Sequence, residues 1–356
     1  EVDFGIYDLG LVCWSDRLMW SALVCSFIVS LAVVWVVKSP GLGLANIDPP
    51  NHRSLHRQPT PSGGGIGIVL GSMAGGIAYA GFGVMVFPSG LLLAVGVALA
   101  VAGYADDRHS LTVVVRLAIQ IVAAVTVILS GLKLTGVVIV GLDVGWPDWL
   151  AVLFTGLFVI WMINLYNFMD GMDGLAATMA VVGFGTLGWL GFSHGDTVFA
   201  VVVWAISLSS LGFLLFNLPP ARIFMGDVGS TVLGYSAAVV ILWADRLSIA
   251  PFWLGVLIFS PFIVDSTATL LRRALAGERF WEAHRSHYYQ QLVGFGWSHR
   301  RTLLAETLLM LACALSAVSS VDQSSEIQWL TASFWLLIYL LLMYSVSRMD
   351  APTRIS

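Results

Sequence analysis

Asp106 and Asp107 are adjacent, Asp170 and Asp173 lie one helical turn apart in the stretch NLYNFMDGMDGLA (residues 164–176), and Asp227 stands where FMGD enters an apolar run. Two carboxylates about 4 Å apart repel by roughly 4 kcal/mol at an effective dielectric near 20, so gathering these acids requires a cation. Oxygen donors with asparagine amides beside them suit a hard divalent ion. Magnesium takes one or two carboxylates and leaves positions for water and phosphate, with manganese as the alternative. A calcium loop of the EF-hand kind is excluded, because no bidentate glutamate follows at the required distance. Asp173 has a second role open to it, as a helix cap before GLAATMA.

Cationic and flexible groups accompany the acids. PSGGGIG (residues 61–67) offers the Gly64 and Gly65 backbone amides to an anion at a helix start, although glycines in membrane helices also serve close packing. His284 and His287 share a face if their segment is helical, among Arg279, Arg285, Tyr288 and Tyr289. HxxH lacks the glutamate and spacing of a HExxH zinc site, so phosphate contact or positioning is the expectation. Arg116 either snorkels to lipid headgroups or binds an anion.

These groups must be positioned by membrane elements. The chain has 356 residues, of which 58% are hydrophobic and 11% charged, with mean hydropathy +0.87. No soluble domain could bury that much apolar surface. A formal charge of −4 gives no sign of a nucleic-acid partner. Cys13, Cys25 and Cys313 lie in or beside apolar runs, without disulfide or zinc spacing, and read as packing residues.

Apolar runs between polar breaks predict helices at 18–37, 63–87, 89–104, 111–130, 149–166, 174–192, 197–216, 228–243, 249–271, 302–320 and 327–347. The expected fold is a single all-α integral membrane domain over residues 1–356, a polytopic bundle of about eleven spans. LKLTGVVIVGLDVGW between the fourth and fifth spans predicts a small β-hairpin on the membrane surface. With the N-terminus outside, the inner loops and C-terminal tail hold most of the 17 basic residues, from Lys38 and Arg53 to Arg348 and Arg354. The outer side holds only Arg17, Lys133 and Arg246, which sets the C-terminus in the cytoplasm. The same alternation puts five polar loops (38–62, 104–111, 164–174, 217–228 and 272–301) on the cytoplasmic face, where together they would form an active site. A magnesium-like ligand set with arginines, histidines and a glycine-rich loop at a membrane interface points to phosphoryl transfer between a soluble nucleotide and a lipid.

PNHRSLHRQPTPSGGG, DDRHSLTVVVR, NLYNFMDGMDGLA, FMGDVGST and HRSHYYQ, in that order over roughly residues 38–300, resemble the polyprenyl-phosphate N-acetylhexosamine-1-phosphate transferases of the WecA and WbpL type, with MraY as a more distant relative. RSLHRQPTP and HRSHYYQ look closer to the WbpL-like branch, which primes lipopolysaccharide O-antigen synthesis. The resemblance implies a UDP-linked amino sugar as donor and undecaprenyl phosphate as acceptor, with release of UMP, in a multi-pass protein of the bacterial inner membrane, surrounded by membrane lipids. A homodimer is a candidate assembly. Carried over residue by residue, Asp227 and Asn167 would hold magnesium. Asp106 and Asp107 would lie near the acceptor phosphate, one of them a candidate base. Asp170 and Asp173 would bind or orient the nucleotide, Phe224 would stack on uracil beside Asn217, and His284, Arg285 and His287 would hold the diphosphate. Further candidate substrate contacts are Arg53, His56, Arg57, Gly64, Gly65, Arg116 and Asn164. Ser62 stands where many relatives would carry arginine. A secondary transporter for an anionic substrate is the different-class alternative, but no internal repeat is visible and the acids gather at one membrane face rather than at the midplane. A CDP-alcohol phosphatidyltransferase is disfavoured because DGMDGLA has no arginine at the required place.

Overall fold

The computed structural model describes residues 5–39, 43, 45–49, 59–81, 90–139, 142–278 and 285–349. The expectations placed on Arg53, His56, Arg57 and His284 lie outside them. Thirteen α-helices and four short strands are described, in the order α1 (Gly5–Val37), β1 (Asn46–Asp48), β2 (Thr60–Ser62), α2 (Gly65–Ala80), α3 (Gly90–His109), α4 (Val113–Leu129), β3 (Gly136–Ile139), β4 (Leu142–Gly145), α5 (Asp148–Met169), α6 (Leu175–Ser193), α7 (Thr197–Asn217), α8 (Asp227–Arg246), α9 (Phe252–Ile258), α10 (Ser260–Leu275), α11 (Tyr288–Gly294), α12 (His299–Ser320) and α13 (Ser325–Ser347). Among the described residues eight helices are long and apolar enough to cross a membrane, and α9 with α10 makes a ninth if that pair is one span. The protein is a multi-span membrane protein.

Every predicted apolar run contains helix, but three depart from expectation. The run at 249–271 is two helices meeting at 82°, because Pro261 near the start of α10 has no amide hydrogen to continue the ladder. α2 runs to Ala80 with Gly81 as its cap, and the remainder of that predicted run lies outside the described residues. α2 and α4 are shorter apolar helices, about 24 to 26 Å long at 1.5 Å per residue, so the count of eleven crossings is not reached by length alone. The expected hairpin is present as β3 and β4, paired antiparallel from Gly136 with Gly145 to Ile139 with Leu142.

Small residues bring the helices that bear the site together. Gly67, Gly71 and Gly75 recur every fourth residue on α2 and face Ser26, Ser30 and Val34 of α1; a Cβ at Gly71 would also stand 2.7 Å from the Ser209 hydroxyl of α7. This is small-residue packing, which replaces the hydrophobic drive that lipid removes. The Ser30 hydroxyl donates to Ser209 O at 2.6 Å and locks α1 to α7. Gly234 likewise seats α8 against Met162 and Ile163 of α5, and Gly103 seats α3 against the Asp227 backbone. The buried core runs through α5, α6, α7 and α8, whereas α13 turns Leu330, Leu336, Leu337 and Leu340 outward.

Candidate active site

The N-terminal end of α8 is the centre of the site. Gly226, at φ 76° and ψ 169°, precedes it, and the chain before it is sewn to β2 and α2. Phe224 N donates to Pro61 O at 2.8 Å, Gly64 N to Phe224 O and Gly65 N to Met225 O, both at 2.9 Å. Gly64 and Gly65, expected to offer amides to an anion, are therefore buried and already engaged with backbone. β1 pairs with β2, Asn46 opposite Ser62 and Asp48 opposite Thr60, and this pair, unforeseen in the sequence, forms one wall of the site.

A cavity of about 440 Å³ opens between that wall and the acid-bearing helix ends. Asn46, Asp48, Ser62, Asp107, Asn167, Asp170, Asp173, Asn217, Phe224, Asp227 and Gln290 line it. Seven of these were expected as site residues from sequence, and they come from three separate stretches. Asp107 Oδ1 accepts from Asp227 N at 2.9 Å, while Asp107 Oδ2 is buried without a hydrogen-bond partner among the described residues. Asn167 Nδ2 donates to Asp227 Oδ1 at 2.7 Å and to the Ser230 hydroxyl at 3.0 Å. Burial first, then the Asp227 and Asp107 carboxylates, push the Asp170 carboxyl well above the usual carboxylate range.

Asp173 and Asn217 hold loops as well as line the cavity. Asn217 Oδ1 accepts from Gly174 N at 2.8 Å and its amide nitrogen donates to Ile223 O at 2.9 Å, so it staples the start of α6 to the segment before Phe224. Asp173 Oδ2 accepts from Ala221 N at 3.0 Å and lies 3.4 Å from His299 Nδ1 at the start of α12. Asp173 does not cap its own helix: Gly174 holds that position with φ 78° and no side-chain bond.

Other expected contacts stand elsewhere. Asp106 accepts from Leu111 N at 2.6 Å and lies 3.4 Å from the Arg116 guanidinium. Both line a small cleft of about 30 Å³ between α3, α4, α5 and α8 rather than the main cavity. Asn164 is paired with Gln120 of α4 through both amide groups, at 2.8 and 3.2 Å, so its side chain joins helices instead of reaching a ligand in the cavity. His287, expected on the diphosphate, is only 3% exposed, and its Nδ1 lies 3.0 Å from Asp265 of α10. Neither it nor the exposed Arg285 lines the cavity. Sequence reasoning passed over Asn46, Asp48, Asp265, Gln290 and His299. The one legible signal among them was Asp265, an ionisable residue inside an apolar span.

Among the described residues no three His, Cys, Asp or Glu side chains form a closed metal site. The acids at the start of α8, with an unpartnered oxygen on Asp107, instead fit an ion that takes few protein ligands and completes its shell with water and phosphate.

Comparison with known proteins accords with this geometry. The pattern of glycosyl transferase family 4 matches residues 89–245. A probable undecaprenyl-phosphate N-acetylglucosaminyl 1-phosphate transferase of Bacillus subtilis (strain 168) is 31% identical over 306 residues, covering 83% of this chain and 84% of the relative. The chain belongs to this family. Further members include an undecaprenyl-phosphate alpha-N-acetylglucosaminyl 1-phosphate transferase of Yersinia pestis, 26% identical over 93% of this chain and 92% of the relative. A phospho-N-acetylmuramoyl-pentapeptide-transferase of Shouchella clausii (strain KSM-K16) is 30% identical over 78% of this chain and 88% of the relative. The glycosyl transferase family 4 match spans Asp107, Asn167, Asp170, Asp173 and Asp227, whereas Asn46, Asp48, Gln290 and His299 fall outside it.

Proposed function

We propose that this protein transfers an N-acetylhexosamine 1-phosphate from a UDP-sugar to undecaprenyl phosphate at the cytoplasmic face of a bacterial inner membrane, releasing UMP and initiating O-antigen or a related surface polysaccharide. The observation that carries the reading is the cavity itself. It brings an acid cluster at the ends of α3, α5 and α8 together with the Phe224 ring and the Asn217 side chain, a lining that suits a nucleotide diphosphate. The acceptor and the sugar class come from the names of the relatives. The orientation follows the distribution of basic residues, and it places the polar loops of the site in the cytoplasm.

In the reaction, an oxygen of the lipid phosphate bonds to the β-phosphorus of the donor. The bond from that phosphorus to the bridging oxygen breaks, and the electron pair leaves on UMP. The lipid phosphate is already largely ionised at neutral pH, so Asp107 need only orient it, while Asp106, held 3.4 Å from Arg116, backs it from the adjoining cleft. Phe224 stacks on the base. Asp170 and Asp173 orient the nucleotide, the latter from a loop held by Ala221 and His299. Magnesium, held by Asp227 and Asn167, would neutralise diphosphate charge when bound. With so many carboxylates present, the chemistry depends on positioning and charge neutralisation rather than on a strong nucleophile.

The test uses UDP-N-acetylglucosamine labelled in its β-phosphate, incubated with purified protein, magnesium and undecaprenyl phosphate. The label should pass into the solvent-extractable lipid. Label that stays with the nucleotide while sugar reaches the lipid would overturn sugar-phosphate transfer.

A further inference from the structure

Asp265 sits inside apolar α10 and is buried, with its side chain 9% exposed, yet the reaction above does not use it. A carboxylate in such a place is costly unless it is fully hydrogen-bonded. This one collects four donors. Its Oδ1 lies 3.0 Å from His287 Nδ1 and 3.0 Å from Tyr288 N, and takes the Thr269 hydroxyl at 3.2 Å; its Oδ2 takes Tyr289 N at 3.1 Å. Tyr288 and Tyr289 are the first residues of α11, whose amides lack partners within the helix. Asp265 therefore fixes the start of α11 on α10, and His287 is a strut in that joint.

The joint sets one side chain on the donor cavity. Gln290 lines it, with Oε1 accepting from His287 N at 3.3 Å. Tyr289 reaches across to Phe168 O at 3.4 Å and packs on Gly171, where a Cβ would meet its hydroxyl and would stand 3.3 Å from Gln290 Nε2. The Gln290 amide thus lies beside Gly171 on the cavity wall. An amide nitrogen carries two hydrogens that it can give to a ligand. Among the described residues, the surrounding carboxylates of Asp107, Asp173 and Asp227 accept when ionised, and the Asn46, Asn167 and Asn217 amides already donate to protein oxygens. The Gln290 amide adds a donor for an oxygen-rich ligand.

We propose that Gln290 contacts the donor through an acceptor oxygen of its sugar 1-phosphate portion, and that Asp265 is the positioning residue that holds Gln290 there through His287 and α11. This rests on the UDP-sugar reading above. It moves the contact expected of His287 three residues along the chain, to a side chain that the cavity exposes.

The test compares wild type, Gln290→Ala, Asp265→Asn and the double variant in detergent, with UDP-N-acetylglucosamine as donor and UMP as competing inhibitor. Gln290→Ala should raise KM for the donor about tenfold or more, leave inhibition by UMP unchanged, and lower kcat far less. Asp265→Asn should show the same split, and the double variant should lose less than the product of the two single losses. Wild-type KM in Gln290→Ala, or equal weakening of UMP and donor, overturns the Gln290 contact. Multiplicative losses in the double variant overturn the link from Asp265. If Asp265→Asn does not fold, His287→Gln, which breaks the joint from the other side, takes its place in the cycle. A wild-type protein that releases no UMP from any UDP-sugar refutes the transferase reading itself, an outcome distinct from an active wild type matched by Gln290→Ala.

Discussion

Replacing Gly226 by alanine tests the geometry at the start of α8 with a single methyl group. Gly226 has φ 76° and ψ 169°, a region that essentially only glycine occupies, and holding another residue there costs about 1 to 3 kcal/mol. The added Cβ would stand 2.5 Å from Asp107 Oδ2 and 3.0 Å from the Ser62 hydroxyl. Carbon and oxygen in ordinary contact sit more than 3 Å apart, so the Asp107 carboxylate must retreat by about 1 Å. That retreat pulls on the 2.9 Å bond from Asp227 N to Asp107 Oδ1, which ties the two acids together. A misplacement of about 1 Å at a reacting centre can cost on the order of 100-fold in rate. The expected result is a folded protein, modestly destabilised on heating, with turnover down about 100-fold and UMP still able to bind. Turnover within threefold of wild type would refute the reasoning, because it would show that the Asp107 position is not critical.

Asp107→Asn and Asp227→Asn should each retain the fold, judged by size-exclusion elution, and lose at least about 100-fold in kcat/KM, since each removes a carboxylate that would hold the cation or position the reacting phosphate; near-normal turnover would misplace the site. Asp170, whose carboxyl is pushed up in the folded protein, contributes stability that is present below its unfolded pKa and is lost as pH rises through its folded value. In buffer without divalent ions, Asp170→Asn should therefore gain Tm over wild type increasingly from pH 5 to pH 8, and a constant difference across that range would contradict the assigned burial. A cysteine introduced by Ser286→Cys should resist membrane-impermeant thiol reagents applied from the periplasm and react in inside-out vesicles; periplasmic labelling would overturn the orientation.

The helices were legible because a run of apolar residues long enough for a bilayer has few other structures open to it. What hydropathy could not show was the break at Phe259, where Ser260 and Pro261 interrupt an apolar run without changing its composition, or the β1 and β2 pair, whose partners are separated by a polar loop. The acids of the site were legible for a different reason: Asp107, Asn167, Asp170, Asp173 and Asp227 are polar groups at the ends of apolar helices. Neighbours brought in by tertiary packing were not. Asn46 reaches Asp107 O across 61 residues at 2.6 Å, and nothing local to Asn46 announces it. For His287 the sequence leaves phosphate contact and positioning both open, because its partner Asp265 lies 22 residues away on apolar α10 and nothing local to the histidine announces it.

The central claim is that one cavity holds a UDP-sugar for attack by a lipid phosphate. Its most direct measurement is UMP release by purified protein with undecaprenyl phosphate, magnesium and a panel of UDP-linked N-acetylhexosamines. The account predicts UMP from at least one donor, only when the lipid phosphate is present and with loss of UMP release on chelation. A folded protein that yields no UMP from any donor, or that yields it equally without the lipid, would contradict it.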